Sequence, residues 1–359
     1  MIFSIAYILE QIKALTSCKH SLYILIIIFY NEQNRLSIQR SKSMKRPYLN
    51  LLIILLIACL LLPFAAVNQP KNTETPDAGK IPPSGNIKVY VEETKKTLHL
   101  NKKEYLTGVL FAEISPTYND EAIKAQAVAA YTFLQYRRMH AEKNADYYIT
   151  DNPENGQGYM TPDAAKKKFG EKYEEYKTHF EMLIDSVQNY VITYSGEPIC
   201  AMYHAVSAGK TESAENVYGS GYPYLVAVES VGDLLCPDYL STVTLQKDEV
   251  KQILQRNQKT PAENAAAFSE AERSPSGTVL SIQLYGNTCK GTEVRQLFSL
   301  NSANFDLEEG ENSITFRVRG KGHGVGMSQY GANYMASLGS TFLEILSWYY
   351  PGCEMKNEA

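Results

Sequence analysis

No Cys-x-x-Cys pair and no cysteine–histidine cluster at zinc-ligand spacing occurs in this sequence: Cys18, Cys59, Cys200, Cys236, Cys289 and Cys353 are scattered along it. That scatter argues against a structural zinc finger. Charge of one sign is also missing, with 35 basic residues against 39 acidic ones and a formal balance of -4. The one-sided electrostatics of a nucleic-acid binder are absent, and no nucleic-acid partner is expected. No internal repeat or low-complexity tract stands out. Tryptophan is reduced to 1 residue and phenylalanine to 12, whereas tyrosine reaches 26; a ring that carries a hydroxyl suits sugar-rich ligands, although tyrosine-rich surfaces have many other causes. The 44% hydrophobic content can bury a real core, which excludes a disordered chain.

The strongest signal in the N-terminal quarter is Leu49 to Val67, which is free of charge and long enough to cross a bilayer as a helix. Arg40, Lys42, Lys45 and Arg46 precede it and polar sequence follows, so the positive-inside rule puts residues 1–48 in the cytoplasm and everything after 67 outside. Three readings compete. Ala65-Ala66-Val67 makes a mediocre signal-peptide cleavage site. Leu56-Ile57-Ala58-Cys59 has a lipoprotein pattern, but the apolar run continues past Cys59. An uncleaved anchor over 49–67 is favoured. Met44-Lys45-Arg46 also looks like a natural start, which would make residues 1–43, with their short apolar run Leu22 to Tyr30, a misplaced upstream start. Residues 68–86 read as a flexible linker, and the folded domain is expected over 87–354. If exported, its four cysteines could form up to two disulfides; buried free thiols are the favoured reading.

Within that domain Ile87 to Val91 alternates as a strand, with Thr97 to Leu100 as its hairpin partner. A short helix is expected from Glu104 to Ala112, before the break at Ser115-Pro116. Asn119 is placed to cap a longer helix from Asp120 to about Glu142, with apolar positions at Ile123, Ala127, Ala130 and Leu134. A further helix is expected over Glu171 to Asn189, and strands over Tyr190 to Tyr194, Pro198 to His204, Val279 to Tyr285 and Ile314 to Val318. Residues 249–278 suggest an insertion or subdomain edge. The expected class is α+β, mixed helices and antiparallel strands in one extracytoplasmic domain behind one transmembrane helix.

Three segments carry candidate chemistry. In YLTGVLFAEISP the lone carboxylate Glu113 sits among Leu110, Phe111, Ala112, Ile114 and Pro116; an apolar setting raises a carboxyl pKa, as a general acid requires. A glutamate at the exposed end of a helix fits the spacing equally well. In YHAVSAGKTE, Ser207, Gly209, Lys210 and Thr211 follow Tyr203 and could line a groove floor where a ligand approaches the backbone; an ordinary strand-to-loop transition, with His204 a structural histidine, is the alternative. GKGHGVGMSQYGA has glycines at 320, 322, 324, 326 and 331. It lacks the Gly-Lys-Ser/Thr ending of a P-loop and any dinucleotide fingerprint. It reads instead as a backbone-permissive turn that brings His323, Ser328, Gln329 and Tyr330 to a cleft ahead of a helix starting near Ser328.

Together YLTGVLFAEISP, EAIKAQAVAAYTF, YHAVSAGKTESAENVYGSGYPYLVAV and GKGHGVGMSQYGANYMASLGSTFLEILSWYYPG resemble the family of stage II sporulation protein D, which includes amidase-enhancer type proteins. The resemblance covers essentially residues 87–353. It implies a lytic transglycosylase that cuts peptidoglycan glycan strands already stripped of peptides, during engulfment, at the mother-cell membrane facing the forespore, with stage II sporulation proteins P and M as partners. It puts the catalytic glutamate at Glu113 and matches Lys124 and Gln126 to positions associated with activity, whereas Tyr131 stands where many relatives have Arg. Tyr203, Ser207, Lys210, His323, Ser328, Gln329 and Tyr330 are the candidates for holding the sugar. A non-enzymatic glycan-binding activator of an amidase is the alternative; a hydrolase differs only in whether water enters the product. Some relatives bind zinc through cysteines in the loop after the long helix, but YYITDNPENGQGYM contains none, so no metal and no cofactor are expected.

Overall fold

The computed structural model describes residues 87–357 apart from 143–144, 153–155 and 220, all within the unit Pro76–Ala359. The anchor expected over 49–67, the segments 1–48 and 68–86, and the run Leu22 to Tyr30 lie outside the described residues. Among the described residues no helix is long and apolar enough to cross a membrane.

The alternating residues at the start of the domain form β1 (Ile87–Val91), which buries Ile87, Val89 and Val91 and pairs antiparallel with β2 (Lys96–Leu100). A capping box between Asn101 and Glu104 opens α1 (Lys102–Glu113). Ile114 is already extended, because a chain approaching Ser115-Pro116 cannot continue as helix. After it comes α2 (Asp120–Met139), which ends three residues before the expected boundary. Asn119 stands at its N-cap position, yet its side chain makes no cap hydrogen bond and donates instead to Asn333 Oδ1 at 2.8 Å. The short β3 (Ile149–Thr150) adds parallel to β1.

Next come α3 (Pro162–Phe169), where no helix was expected, a 3-10 turn at Gly170–Lys172, and α4 (Tyr173–Val187), the helix expected over Glu171 to Asn189. The strand β4 (Tyr190–Tyr194) turns back into β5 (Glu197–Pro198). The continuous strand expected from Pro198 to His204 is broken: the N–H groups of Ala201 and Met202 close onto the carbonyls of Ile199 and Cys200. The kink moves the chain out of that sheet, and β6 (Tyr203–His204) finds a different partner. A short α5 (Ala214–Tyr218) follows.

From β7 (Leu240–Gln246) the chain builds a second hydrophobic core with α6 (Lys247–Arg256), β8 (Glu272–Arg273), β9 (Val279–Leu284), β10 (Asn287–Cys289), α7 (Gly291–Leu297), β11 (Phe305–Glu309) and β12 (Ser313–Arg319). Its centre is Val250, Leu254, Ile282, Leu284, Phe305, Ile314 and Phe316. The insertion sensed at 249–278 is thus part of a larger excursion. The chain then rejoins the first core through β13 (Met327–Ser328), α8 (Gln329–Ser337), α9 (Phe342–Tyr349) and β14 (Glu354–Asn357), which pairs with β4.

The first core is organised on α2, against which α1, α4, α8 and α9 all pack. Ile123, Ala127, Ala130 and Leu134 are at most 1% exposed, so the anticipated apolar face is the buried one. Its alanines let neighbouring helices come close, while Ile123 and Leu134 each contribute roughly 2 kcal/mol by burial. Cys200, Cys236, Cys289 and Cys353 are free thiols.

Candidate active site

The second and third sequence segments lie side by side. β6 pairs parallel with β13, Tyr203 beside Met327 and His204 beside Ser328, and the N–H of Lys321 donates to Val206 and that of Glu212 to Gly324. Gly320, Gly322, Gly324 and Gly326 all have positive φ, a conformation that glycine adopts without a Cβ penalty. At Gly326 a Cβ would lie 2.0 Å from the Met202 carbonyl oxygen. Gly326→Ala should therefore lose roughly 2–4 kcal/mol of stability in urea unfolding.

The first segment closes onto this pair through side chains. Gln329 Nε2 donates to Gln126 Oε1 at 3.3 Å, the Tyr118 and Tyr330 rings meet edge to face at 6.3 Å, and Asn119 pairs with Asn333. Tyr105 of α1 and Tyr203 of β6 are joined through Gln157, which accepts from the Tyr105 hydroxyl and donates to that of Tyr203 at 2.6 Å. The three stretches thus form one site.

Glu113 is the last residue of α1, partly buried. Its Oε1 accepts the Gly158 N–H at 2.6 Å. Desolvation raises its pKa, and the Gly158 hydrogen bond opposes the rise. Tyr105 and Tyr203 lie within reach of its charge, and burial, reinforced by the carboxylate, keeps both hydroxyls protonated well above the ordinary tyrosine range. The arrangement provides a carboxylic acid that holds its proton above the usual glutamate range, with two neutral hydroxyls within reach of its charge.

The other candidates divide by what they already bind. Tyr203 and Gln329 belong to the contacts described above, and Gln126 is fully buried, its Nε2 without a partner. Ser207 and Ser328 converge on Asp233, a fully buried carboxylate that accepts from Ser207 N at 2.9 Å, Ser207 Oγ at 2.5 Å and Ser328 Oγ at 2.8 Å. Burial pushes the Asp233 pKa up against these hydrogen bonds. Lys124 pairs with Glu121 at 2.7 Å and Lys210 with Glu229 at 3.2 Å. Tyr330 donates to the Leu235 carbonyl at 3.2 Å. Tyr131 is buried, its hydroxyl accepting from Gln135, with Lys102 Nζ 3.9 Å from its ring centroid. Sequence reasoning missed Asp233, which stands outside the matched motifs, and Gln157 and Gly158, which lie in YYITDNPENGQGYM, a stretch read only for its lack of cysteine.

His204 and His323 stand with ring centroids 5.7 Å apart. His204 Nδ1 donates to the Val325 carbonyl, and His323 Nδ1 accepts the Val325 N–H. Desolvation lowers their pKa values to about 3 and about 4, so both are neutral in the working range. Between about pH 6.5 and pH 4 the unfolded chain takes up protons that the folded state refuses, and stability falls as the pH drops. Glu113 and Asp233, with raised values, act with the opposite sign. The stability difference between pH 7 and pH 5 should therefore be smaller in His204→Asn than in the wild type, read by urea unfolding at both pH values.

Among the described residues no group of three or more His, Cys, Asp or Glu is placed to hold a metal. A concavity of about 320 Å³ lies in the second core region, between Phe268–Arg273 and Phe305–Leu307, and none of the three segments lines it.

Residues 90–194 match the family model described as stage II sporulation protein. Over 290 residues the chain is 34% identical to stage II sporulation protein D of Bacillus subtilis (strain 168), covering 79% of this chain and 82% of that protein. The chain belongs to the stage II sporulation protein D family. The homologue from Bacillus amyloliquefaciens is 32% identical over 325 residues, covering 85% of this chain and 92% of its own length. A more distant relative, the amidase enhancer of Bacillus subtilis (strain 168), is 25% identical over 301 residues, 69% of this chain and 39% of that protein. The family is a sporulation family.

Proposed function

We propose that this protein is a lytic transglycosylase that cleaves peptide-free peptidoglycan glycan strands during engulfment, with Glu113 as its acid. The observation that carries this reading is the lone carboxyl of Glu113 at the end of α1, its proton retained by desolvation, within electrostatic reach of two neutral tyrosine hydroxyls that Gln157 holds. Glu113 protonates the glycosidic oxygen, and the resulting carboxylate takes the proton of the muramyl 6-hydroxyl, which attacks the anomeric carbon. An internal nucleophile is already held beside its target, so no second carboxylate is needed to activate water. The product ends in 1,6-anhydro-muramic acid. Residues 49–67 anchor the chain and 68–86 tether the catalytic region 87–354 outside the membrane, at the mother-cell face toward the forespore, where stage II sporulation proteins P and M are the proposed partners.

The test is digestion of peptide-free glycan strands by the full-length protein, with products read by mass. Anhydro-ended fragments, about 18 Da (one water) lighter than hydrolysis products, support the transglycosylase; reducing ends point to a hydrolase. Intact strands that remain bound point to the second reading, a glycan-binding activator of an amidase, which the amidase enhancer among the relatives favours.

A further inference from the structure

Gly158 brings its N–H to Glu113 Oε1 at such close range that no side chain fits: a Cβ there would lie 2.5 Å from Oε1 and 3.3 Å from the Cβ of Ala112. Immediately before it Gln157, 3% exposed, ties α1 to β6 through Tyr105 and Tyr203, while its own N–H donates to Thr150 of β3 at 3.1 Å. Two residues after Gly158 the Met160 N–H donates to the Gly108 carbonyl at 3.0 Å, and a Cβ at Gly108 would meet the Tyr159 ring at 2.2 Å. Residues 157–160 therefore lie along α1 from Gly108 to Glu113, fastened at both ends.

In a carboxylic acid the carbonyl-type oxygen is the better acceptor, so the close Gly158 N–H on Oε1 favours Oε2 as the oxygen that carries the proton. We propose that Gln157–Met160 is a positioning clip that favours Oε2 of Glu113 for the transferable proton and, through Gln157, holds the Tyr203 hydroxyl in place. This rests on the acid role of Glu113 and adds the device that orients it. The clip acts through Glu113, and nothing in it needs to touch the glycan. The titratable groups whose charge would reach Glu113, Tyr105 from α1 and Tyr203 from β6, stay neutral and leave its charge to be governed by burial and by Gly158.

The test uses the full-length protein with ¹³C-labelled glutamate carboxyl groups, comparing wild type, Gly158→Ala and Gln157→Leu. In Gly158→Ala the methyl displaces the carboxyl from the N–H that stabilises its charged form, so Glu113 should titrate at higher pH than in the wild type. On peptide-free glycan, kcat should fall about 30-fold or more with KM within about threefold, the pattern of lost transition-state alignment. Gln157→Leu, which leaves Gly158 bare but unfastens it, should shift the titration in the same direction and lower kcat about 3- to 10-fold; it decides the matter if Gly158→Ala does not fold. Titration curves for Glu113 that coincide in wild type and variants, or unchanged kcat, would overturn the clip. A wild type that cuts no glycan defeats the acid reading alone, since the titration still decides whether the clip controls the carboxyl.

Discussion

Replacing Glu113 with Gln is expected to lower glycan cleavage by about 10³-fold, on the order of 4 kcal/mol of transition-state stabilisation, because the general acid is lost. The amide keeps the shape of the side chain and its oxygen still accepts from Gly158, so binding should persist and KM should change little. The same substitution should stabilise the domain at neutral pH. The folded-state pKa of Glu113 is raised, so above the ordinary glutamate range the unfolded chain ionises more readily than the folded one. Wild-type stability therefore declines as pH climbs from about 4.5 through the raised value. Urea unfolding from pH 4 to pH 8 should show the variant's advantage growing across that window. Cleavage within tenfold of wild type would remove Glu113 from the chemistry, and an advantage that shrinks with rising pH would contradict the burial argument.

Asp233→Ala is expected to remove about 3–5 kcal/mol of folding stability, the range for breaking a buried, hydrogen-bonded charge. Three donors on two segments converge on this carboxylate, and without it the Ser207 N–H and two hydroxyls are left in a site that water does not reach. Asp233→Asn should lose less, because serine hydroxyls can rotate to accept from an amide. The consequence reaches the site, since Ser207 lies within the second segment and Ser328 caps α8 in the third. Circular dichroism and urea unfolding give the measurement; a loss below about 1 kcal/mol would mean that Asp233 does not hold these segments together.

Much of the local architecture was legible in the residues. The alternation of Ile87, Val89 and Val91 specifies one buried strand face, and the alanine-rich face of α2 specifies a helix others can approach closely. Pro116 ends α1 where local backbone sterics require. The glycines at 320, 322, 324 and 326 announce a backbone that other residues would resist. The strand expected through Pro198 to His204 was illegible as two pieces, because its apolar residues suit a buried strand while the closures at Ala201 and Met202 arise only when β6 meets β13. The second core was half visible, since strand patterns at 279–285 and 314–318 do not say which sheet they join. Ser207 and Ser328 illustrate the same limit at the site: sequence offers two hydroxyls near a cleft, and only the fold brings Asp233 to occupy them.

By itself the sequence determined the α+β class, the main helices, the glycine-rich turn and Glu113 as the carboxylate in an apolar frame, because these depend on side-chain periodicity and on backbone sterics within a few residues. Only the tertiary structure decided that Gly158 seals one oxygen of that carboxylate, that Gln157 links Tyr105 to Tyr203, and that Asp233 fastens the second segment to the third. Those contacts join residues 26 to 95 positions apart, and a hydrogen bond at that separation exists only once the cores have brought its donor and acceptor together.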